Sequence, residues 1–306
     1  MTDNTQTSIG QLARSTGLPV RTIRYYCDEG LLESRRSAGG HRLFGPEATE
    51  RVLLIRRLRA LGLGLDAITA VLHEDRSLDE VIAAESARVD EEFRTLAWRR
   101  ASLRAMAAAV PAQRAGRLAV LAAADDAAAA HQRLRHFWRE ILAPIHRDDI
   151  DRFISWNVPE PPADPTAEDV LAYAELTALT TDPATETAVR QHLWRTSPAQ
   201  VRDQRTLYTD VGDALEHVVP LVSQGIQPHN GTALTLFVTA HARARSTRDT
   251  PQFRDRLRTA TPETAHRIQL YWSLTHTFLG PRVTVGRALG WIHNALTDGA
   301  ETIAPQ

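Results

Sequence analysis

Arginines and tyrosines near the start of the chain are the residues best suited to bind another molecule. Between Arg14 and Arg59 the sequence holds ten arginines and five acidic residues, although the whole chain of 306 residues carries a net charge of only −1. Guanidinium groups pair with phosphate, so a local basic patch of this kind indicates nucleic-acid binding. All 36 cations of the chain are arginine, however, so an ordinary solvated surface is the alternative interpretation.

Catalytic and metal-binding patterns are absent from the sequence. It contains no glycine-rich phosphate loop, no Gly-x-Ser-x-Gly elbow and no His-Glu-x-x-His motif. Its one cysteine, Cys27, can form neither an intramolecular disulfide nor a thiolate-rich metal site. Ten of the twelve histidines follow residue 112, but pairs such as His131 and His136 lack the i, i+4 spacing of ligands on one helix face. We therefore predict no enzymatic activity, no cofactor and no metal site.

Composition and hydropathy predict an ordinary globular protein. The chain is 43% hydrophobic and 24% charged, which is typical of this class. Residues 1–8 are polar, and no run of about 18 apolar residues occurs. We expect a cytoplasmic location and no membrane partner.

Two short helices joined by a tight turn are predicted at the start of the basic region. Ser8 and Gln11 fit a capping box that begins the first helix, and Gly17 ends it. Pro19 is suited to begin the second helix and Gly30 to end it. Two helices in this arrangement, with cations and hydroxyls on the second, indicate a helix-turn-helix. The residues expected to point outward from the second helix are Arg21, Thr22, Arg24 and Tyr25.

A charged β-hairpin is predicted next. Short runs flank Ala38-Gly39-Gly40, and both arms carry cations, as expected for a wing lying along a phosphate backbone. Gly45-Pro46-Glu47 then opens a third helix, and a fourth follows Gly64.

The motifs of this region, in their order along the chain, resemble the N-terminal domain of the MerR family of bacterial regulators over about residues 7 to 110. Cys27 stands where the family usually has an acid, and His41 where it usually has tyrosine. The motifs that carry the resemblance are Thr22-Ile23-Arg24-Tyr25-Tyr26, Gly30-Leu31-Leu32, Arg36, Gly40-His41-Arg42, Phe44 and Leu61-Gly62-Leu63 with Leu65 and Ile68.

The resemblance implies roles for individual residues on double-stranded promoter DNA. The second helix would be the recognition helix, the Tyr26 hydroxyl would hydrogen-bond a phosphate, and the wing would contact the backbone. A solvated arginine or a core-packing tyrosine is the alternative at each position. The expected DNA-binding residues are Arg21, Thr22, Arg24, Tyr25, Tyr26, Arg36, His41 and Arg42.

A long connecting helix is predicted over residues 77–110. A seven-residue apolar repeat indicates a coiled coil, and the alternative is a helix packed on its own C-terminal domain. The resemblance implies an antiparallel coiled-coil homodimer, which would read a pseudo-palindromic site. The expected dimerisation residues are Ile82, Val89, Phe93, Leu96 and Leu103.

Helix-start signals in the remainder of the chain, residues 111–306, predict an all-α domain of about eight helices. Asp182-Pro183, Ser197-Pro198, Thr250-Pro251 and Thr261-Pro262 each place a capping side chain before proline, and Thr166 begins a further helix. Prolines exclude regular structure over 157–165, and Pro220 is expected to kink or end a helix.

Aromatic side chains in this region could line a pocket for an apolar or aromatic molecule, although the alternative is that they form the core. The candidate effector-binding residues are Trp138, Trp156, Trp194, Tyr271, Trp272 and Trp291.

The fold expected is mainly α: a winged helix-turn-helix with a small β-hairpin in 1–76, a dimerisation helix in 77–110 and a helical effector domain in 111–306. The expected function is a homodimeric, sequence-specific transcription regulator controlled by a small apolar or aromatic effector. The family resemblance implies that it distorts promoter DNA and so acts on RNA polymerase indirectly. The alternatives are a drug-sequestering binding protein and a regulator controlled by a protein partner.

Overall fold

The computed structural model describes residues 6–143, 145–194, 201–258 and 262–301, without the side chains of residues 194, 262–264 and 298–301. The chain divides into two compact units, residues 1–93 and 94–306. The boundaries predicted at 76 and 110 remain a prediction. Across the described ranges, the structure holds no helix with the length and apolarity that a membrane crossing requires.

The first unit is a small helical domain with a three-stranded sheet. Ser8 caps the first helix and Gln11 bonds back to it, as the capping box predicts. Gly17 ends that helix with φ 68°, a conformation that glycine adopts without strain. The elements are β1 (Thr7–Ser8), α1 (Ile9–Thr16), α2 (Val20–Asp28), β2 (Arg35–Arg36), β3 (Arg42–Phe44), α3 (Ala48–Ala60), α4 (Leu65–Leu72) and the first half of α5 (Leu78–Ala107).

The sheet confirms the predicted hairpin and adds a strand to it. Strand β3 lies between β1 and β2, and both pairings are antiparallel. Arg36 pairs with Arg42 across the hairpin, and Thr7 of β1 pairs with Phe44. Strand β1 was not predicted because two residues are too short to show the alternation that marks a strand.

In its described residues the second unit is all helical, as predicted, but it contains more helices than the eight expected. The extra helices come partly from the alanine-rich stretch after Pro111, which carries few of the glycine, proline and capping signals that reveal boundaries. The α-helices that follow α5 are α6 (Arg114–Leu121), α7 (Ala127–Ile141), α8 (Arg147–Asn157), α9 (Ala167–Thr180), α10 (Pro183–Trp194), α11 (Gln204–Ser223), α12 (Thr232–Ala244), α13 (Pro251–Arg258), α14 (Pro262–Leu279) and α15 (Val285–Glu301).

Helix starts in this unit follow the predicted signals. Helices α10, α13 and α14 begin at Pro183, Pro251 and Pro262, and Thr166 forms a capping box with Asp169. The predicted start at Ser197-Pro198 lies outside the described residues. Pro220 does not end its helix, which continues to Ser223, because near an exposed helix end proline removes a single backbone bond.

Helix α5 has two different faces. In its second half Trp98, Ala101 and Ala105 are buried in the core of the second unit, and the indole N–H of Trp98 donates to the Ala124 carbonyl at 2.8 Å. Leu96 and Leu103 on another face are each 63% exposed. The two interpretations of this helix are therefore compatible, since one face packs on its own domain and another stays free.

Aromatic packing fixes the centre of the second unit. Tyr271 is fully buried, and its hydroxyl accepts a hydrogen bond from the Trp138 indole N–H at 2.6 Å. The Trp138 ring also contacts Phe153, with 4.6 Å between ring centroids. Burial raises the pKa of Tyr271, because its charged form would lose hydration, so the hydroxyl stays neutral.

Removing this buried hydroxyl tests the aromatic centre. We expect Tyr271→Phe to lower the free energy of unfolding by about 1–3 kcal/mol, because it leaves the Trp138 N–H buried without its acceptor. Urea unfolding measures this change. The matched deletion Tyr208→Phe, on a partly exposed side chain, should change it by less than about 0.5 kcal/mol. Equal effects of the two variants would contradict the assignment.

Candidate nucleic-acid interface

Helix α2 presents a polar face because its apolar residues are held in the core. Ile23 is fully buried and Tyr26 is 8% exposed, whereas Tyr25 is 48% exposed. Arg21 and Arg24 are exposed beside it. The helix thus offers two cations and a phenol on one surface, as the recognition-helix prediction requires.

The end of α2 is locked by backbone bonds. Gly30 has φ 75°, and the N–H groups of Leu31 and Leu32 donate to the Tyr26 carbonyl at 2.8 and 3.2 Å. Both leucines are buried. The position of α2 therefore depends on the glycine turn and the two apolar anchors after it.

The wing is a tight hairpin with an exposed tip. The Gly40 N–H donates to the Ser37 carbonyl at 2.9 Å, and the His41 N–H donates to the Ser37 hydroxyl at 3.1 Å. His41 and Arg36 are exposed, and Arg36 donates to the Gly40 carbonyl at 3.4 Å. Both side chains are accessible to a phosphate backbone.

Arg42 joins the wing to the recognition helix. Its guanidinium donates to the Asp28 carboxylate at 2.7 Å and to the Arg24 carbonyl at 3.3 Å. The hydrogen bond that Arg42 donates to Asp28 raises the pKa of Arg42. The thiol of Cys27 lies beside the same guanidinium, and burial raises the pKa of that thiol. Arg42 therefore helps to position α2 relative to the wing, and it is also a candidate DNA contact.

Thr22 and Tyr26, the remaining predicted DNA-binding residues, differ in how far they are buried. Thr22 is half-buried on α2. The Tyr26 ring belongs to the core of the first unit. Because the residue is only 8% exposed, a phosphate could reach only a small part of its side chain. Its role on phosphate remains a prediction.

Several arginines of the basic region serve the fold instead. Arg51 donates to the Leu31 carbonyl at 3.0 Å, Arg56 to Thr16 at 3.3 Å and Arg59 to Leu63 at 2.8 Å. These carbonyls lie at helix ends and turns, where backbone acceptors lack helical partners. Counting charges along the sequence cannot separate such arginines from DNA-facing ones, because the difference depends on tertiary contacts.

The predicted dimerisation residues share one exposed stripe along α5. They expose between 42% and 63% of their surface, which is unusual for large apolar side chains. The stripe consists of Ile82, Val89, Phe93, Leu96 and Leu103.

The candidate effector residues do not form one site. Trp138 and Tyr271 are core, and Trp291 is buried with its N–H donating to the Ile226 carbonyl at 2.8 Å. Trp156 is 51% exposed beneath the guanidinium of Arg282, and the Trp194 side chain lies outside the described residues.

Trp272 is the candidate that lines a cavity, and three histidines line it too. They are His192, His276 and His293, which stand on three different helices. The sequence held no signal for this grouping, since about a hundred residues separate the first from the last. In the described part of the chain, no three histidine, cysteine or acidic residues are grouped as a metal site requires.

Comparisons with known proteins match the N-terminal region. Residues 7–75 match the family model "MerR HTH family regulatory protein". The nodulation protein NolA of Bradyrhizobium elkanii is 40% identical over 83 residues, which cover 27% of this chain and 38% of NolA. The transcriptional activator TipA of Streptomyces coelicolor is 38% identical over 104 residues, covering 34% of this chain and 39% of TipA.

A shorter relative is matched over nearly its whole length. The transcriptional regulator MerD of Shigella flexneri is 34% identical over 113 residues, which cover 35% of this chain and 92% of MerD. The chain spans about two fifths of the NolA proteins it matches. No solved structure matches the chain. The exposed polar face of α2, the wing and these matches lead to the same conclusion. The chain belongs to the MerR family of DNA-binding transcription regulators.

Proposed function

We propose that the protein is a homodimeric regulator that binds promoter DNA through α2 and the wing and responds to a small molecule bound by its second unit. The observation that carries this proposal is the bond from Arg42 to the recognition helix, which joins the two DNA-facing elements into one surface. A surface fixed before binding loses less conformational entropy when it docks.

The residues divide into reading and anchoring roles. On α2 the exposed Arg21, Arg24 and Tyr25 and the half-buried Thr22 would enter the major groove, where base edges are distinguishable. Arg36 and His41 at the wing would contact phosphates, which position a protein without specifying sequence. Tyr26 would contribute its hydroxyl from the edge of the core.

Arg24 provides the direct test of DNA binding. We expect Arg24→Ala to weaken binding to the DNA upstream of the protein's own gene by about tenfold or more, since a lost base contact costs about 1–3 kcal/mol. Fluorescence anisotropy across a salt series measures affinity and slope. Arg147→Ala removes a cation whose side chain is 88% exposed in the second unit, and it should leave both unchanged. Equal affinity of wild type for promoter and random DNA would refute the proposal.

Arg42 should behave differently from Arg24, because its guanidinium is already bonded inside the protein. We expect Arg42→Ala to weaken promoter binding while the salt dependence keeps its slope, whereas loss of a phosphate-contacting cation lowers the slope by about 1. Asp28→Asn should weaken binding in the same way, since it removes the negative charge that holds the guanidinium. A slope reduced by Arg42→Ala and unaffected by Asp28→Asn would identify Arg42 as a phosphate contact instead.

The exposed stripe of α5 supports dimerisation with a second copy. The first half of the helix, 78–92, carries six acids and one arginine, whereas the second half, 93–107, carries four arginines and no acid. In an antiparallel pair each acidic half would face a basic half, while a parallel pair would place like charges together. The apolar stripe supplies the driving force and the charges favour the antiparallel orientation.

Placing a charge in the stripe tests the dimer. We expect Leu96→Glu and Leu103→Glu to yield monomers in sedimentation experiments, because each would bury a carboxylate in the apolar seam. Ala87→Glu adds the same charge at an exposed position of α5 off the stripe and should leave the dimer intact. A wild-type protein that sediments as a monomer at micromolar concentration would contradict the proposal.

Effector binding would act by changing the DNA conformation that the dimer favours. A ligand shifts such an equilibrium only by the difference in its affinity for the two states. Distortion of the promoter between its two polymerase elements would couple this shift to transcription without a direct contact to the polymerase.

A further inference from the structure

A cavity of about 580 Å³ lies within the second unit, between α10, α13, α14 and α15. Its volume falls within the range of about 300–1,000 Å³ that small-molecule sites occupy. Its wall combines apolar side chains with histidine, carboxamide and hydroxyl groups, a mixture that can both bury and orient a ligand.

Bare helix backbone forms part of the cavity wall. Gly290 of α15 lines the cavity, and a Cβ atom there would meet no atom within 4 Å. One turn earlier the Trp272 ring covers the backbone of Gly286, where a Cβ atom would come within 2.0 Å of the ring, and Trp272 itself is 7% exposed. The open backbone at Gly290 leaves room for the flat face of an aromatic molecule.

The cavity wall carries histidine side chains from three helices. The rings of His192 and His293 meet edge to face, with 4.6 Å between centroids, and Nε2 of His276 lies 2.8 Å from the Thr284 hydroxyl. Burial lowers the pKa of His276, with Arg287 adding to the effect, so this imidazole is neutral at pH 7.

The cavity offers a cation no direct partner. Its described lining residues include no aspartate or glutamate, and the positive charge of Arg258 is compensated by an ion pair with Asp255. The Arg258 guanidinium donates to the Leu296 carbonyl at 2.7 Å, which holds the group at the cavity wall. A buried cationic ligand would find no carboxylate on these residues, whereas a phenol, ketone or carboxylate would find donors.

We propose that this cavity is the effector site and that it takes a planar aromatic molecule bearing phenolic, carbonyl or carboxylate oxygens, and rejects planar cations. The inference rests on the proposed function in one respect, that a small molecule controls the regulator. The molecule would pack against the bare backbone at Gly290 beside Trp272, and the histidines and carboxamides would bond its oxygens.

Two serines allow a matched test on the full-length protein. Ser273 lines this cavity, and its hydroxyl donates to the carbonyl of Leu270 at 2.9 Å. Ser155 lines a second cavity of about 430 Å³ that also contains acidic residues, and its hydroxyl makes the equivalent bond to Arg152 at 2.8 Å. Phenylalanine at position 273 would narrow the first cavity and phenylalanine at position 155 the second, so the two variants control for each other.

Isothermal titration is carried out with a dihydroxyanthraquinone carboxylic acid, a trihydroxyflavone and a hydroxynaphthoic acid, and with the planar cation proflavine. We expect at least one of the oxygenated probes to bind once per chain, with affinity at least tenfold lower in Ser273→Phe and in Gly290→Leu and unchanged in Ser155→Phe. Proflavine should not bind the wild-type cavity. Circular dichroism confirms that each variant is folded.

Three results would overturn the proposal: no binding by any oxygenated probe, preferential binding of proflavine, or loss of binding in Ser155→Phe instead of Ser273→Phe. Promoter binding is measured on the same samples without probe. If the promoter is not bound but the probe is, the regulator proposal fails and the cavity stands. If the promoter is bound and no probe binds, only the cavity proposal fails.

Discussion

A helix and a wing can contact one DNA surface only if their relative position is fixed, and the guanidinium of Arg42 adds a direct bond to the constraint that the buried core of the first unit imposes. It reaches from the central strand of the sheet to a carbonyl and a carboxylate near the C-terminal end of the recognition helix, the end where the helix dipole favours a cation. The same sheet binds the start of the domain, because Ser8 is both the last residue of β1 and the cap of α1. Two short helices and a hairpin, none stable alone, are thereby held together in the first unit.

The sequence predicts the helix-turn-helix and the wing well because the signals for their helix ends and turns are local. The capping box at Ser8, the glycine turns and the proline helix starts each act within four residues, so they survive without knowledge of the fold. The exposure of Arg24 follows from helical periodicity. The partners of Arg42, Arg51 and Arg56 could not be predicted, because their acceptors lie 14 to 40 residues away in sequence and arginine is the chain's only basic residue apart from histidine.

The second unit shows the opposite balance. Its helical class and many helix starts are readable, but its chemistry depends on which helices become neighbours. Tryptophans that suggested a pocket divide between the core, as Trp138 does, and the surface, as Trp156 does. The histidines of the cavity come together from α10, α14 and α15. Glycine is required at position 286 because the Trp272 ring lies on its backbone. Sequence spacing carries no information about such contacts.

The division of charge along α5 matters wherever a cell makes several related regulators. A helix that is acidic in one half and basic in the other is complementary to its own reversed copy, but not to a helix that is uniformly acidic or basic. Each wrong partner would repel one of the halves. In the proposed dimer, this charge pattern would favour pairing with a second copy over pairing with a helix of uniform charge.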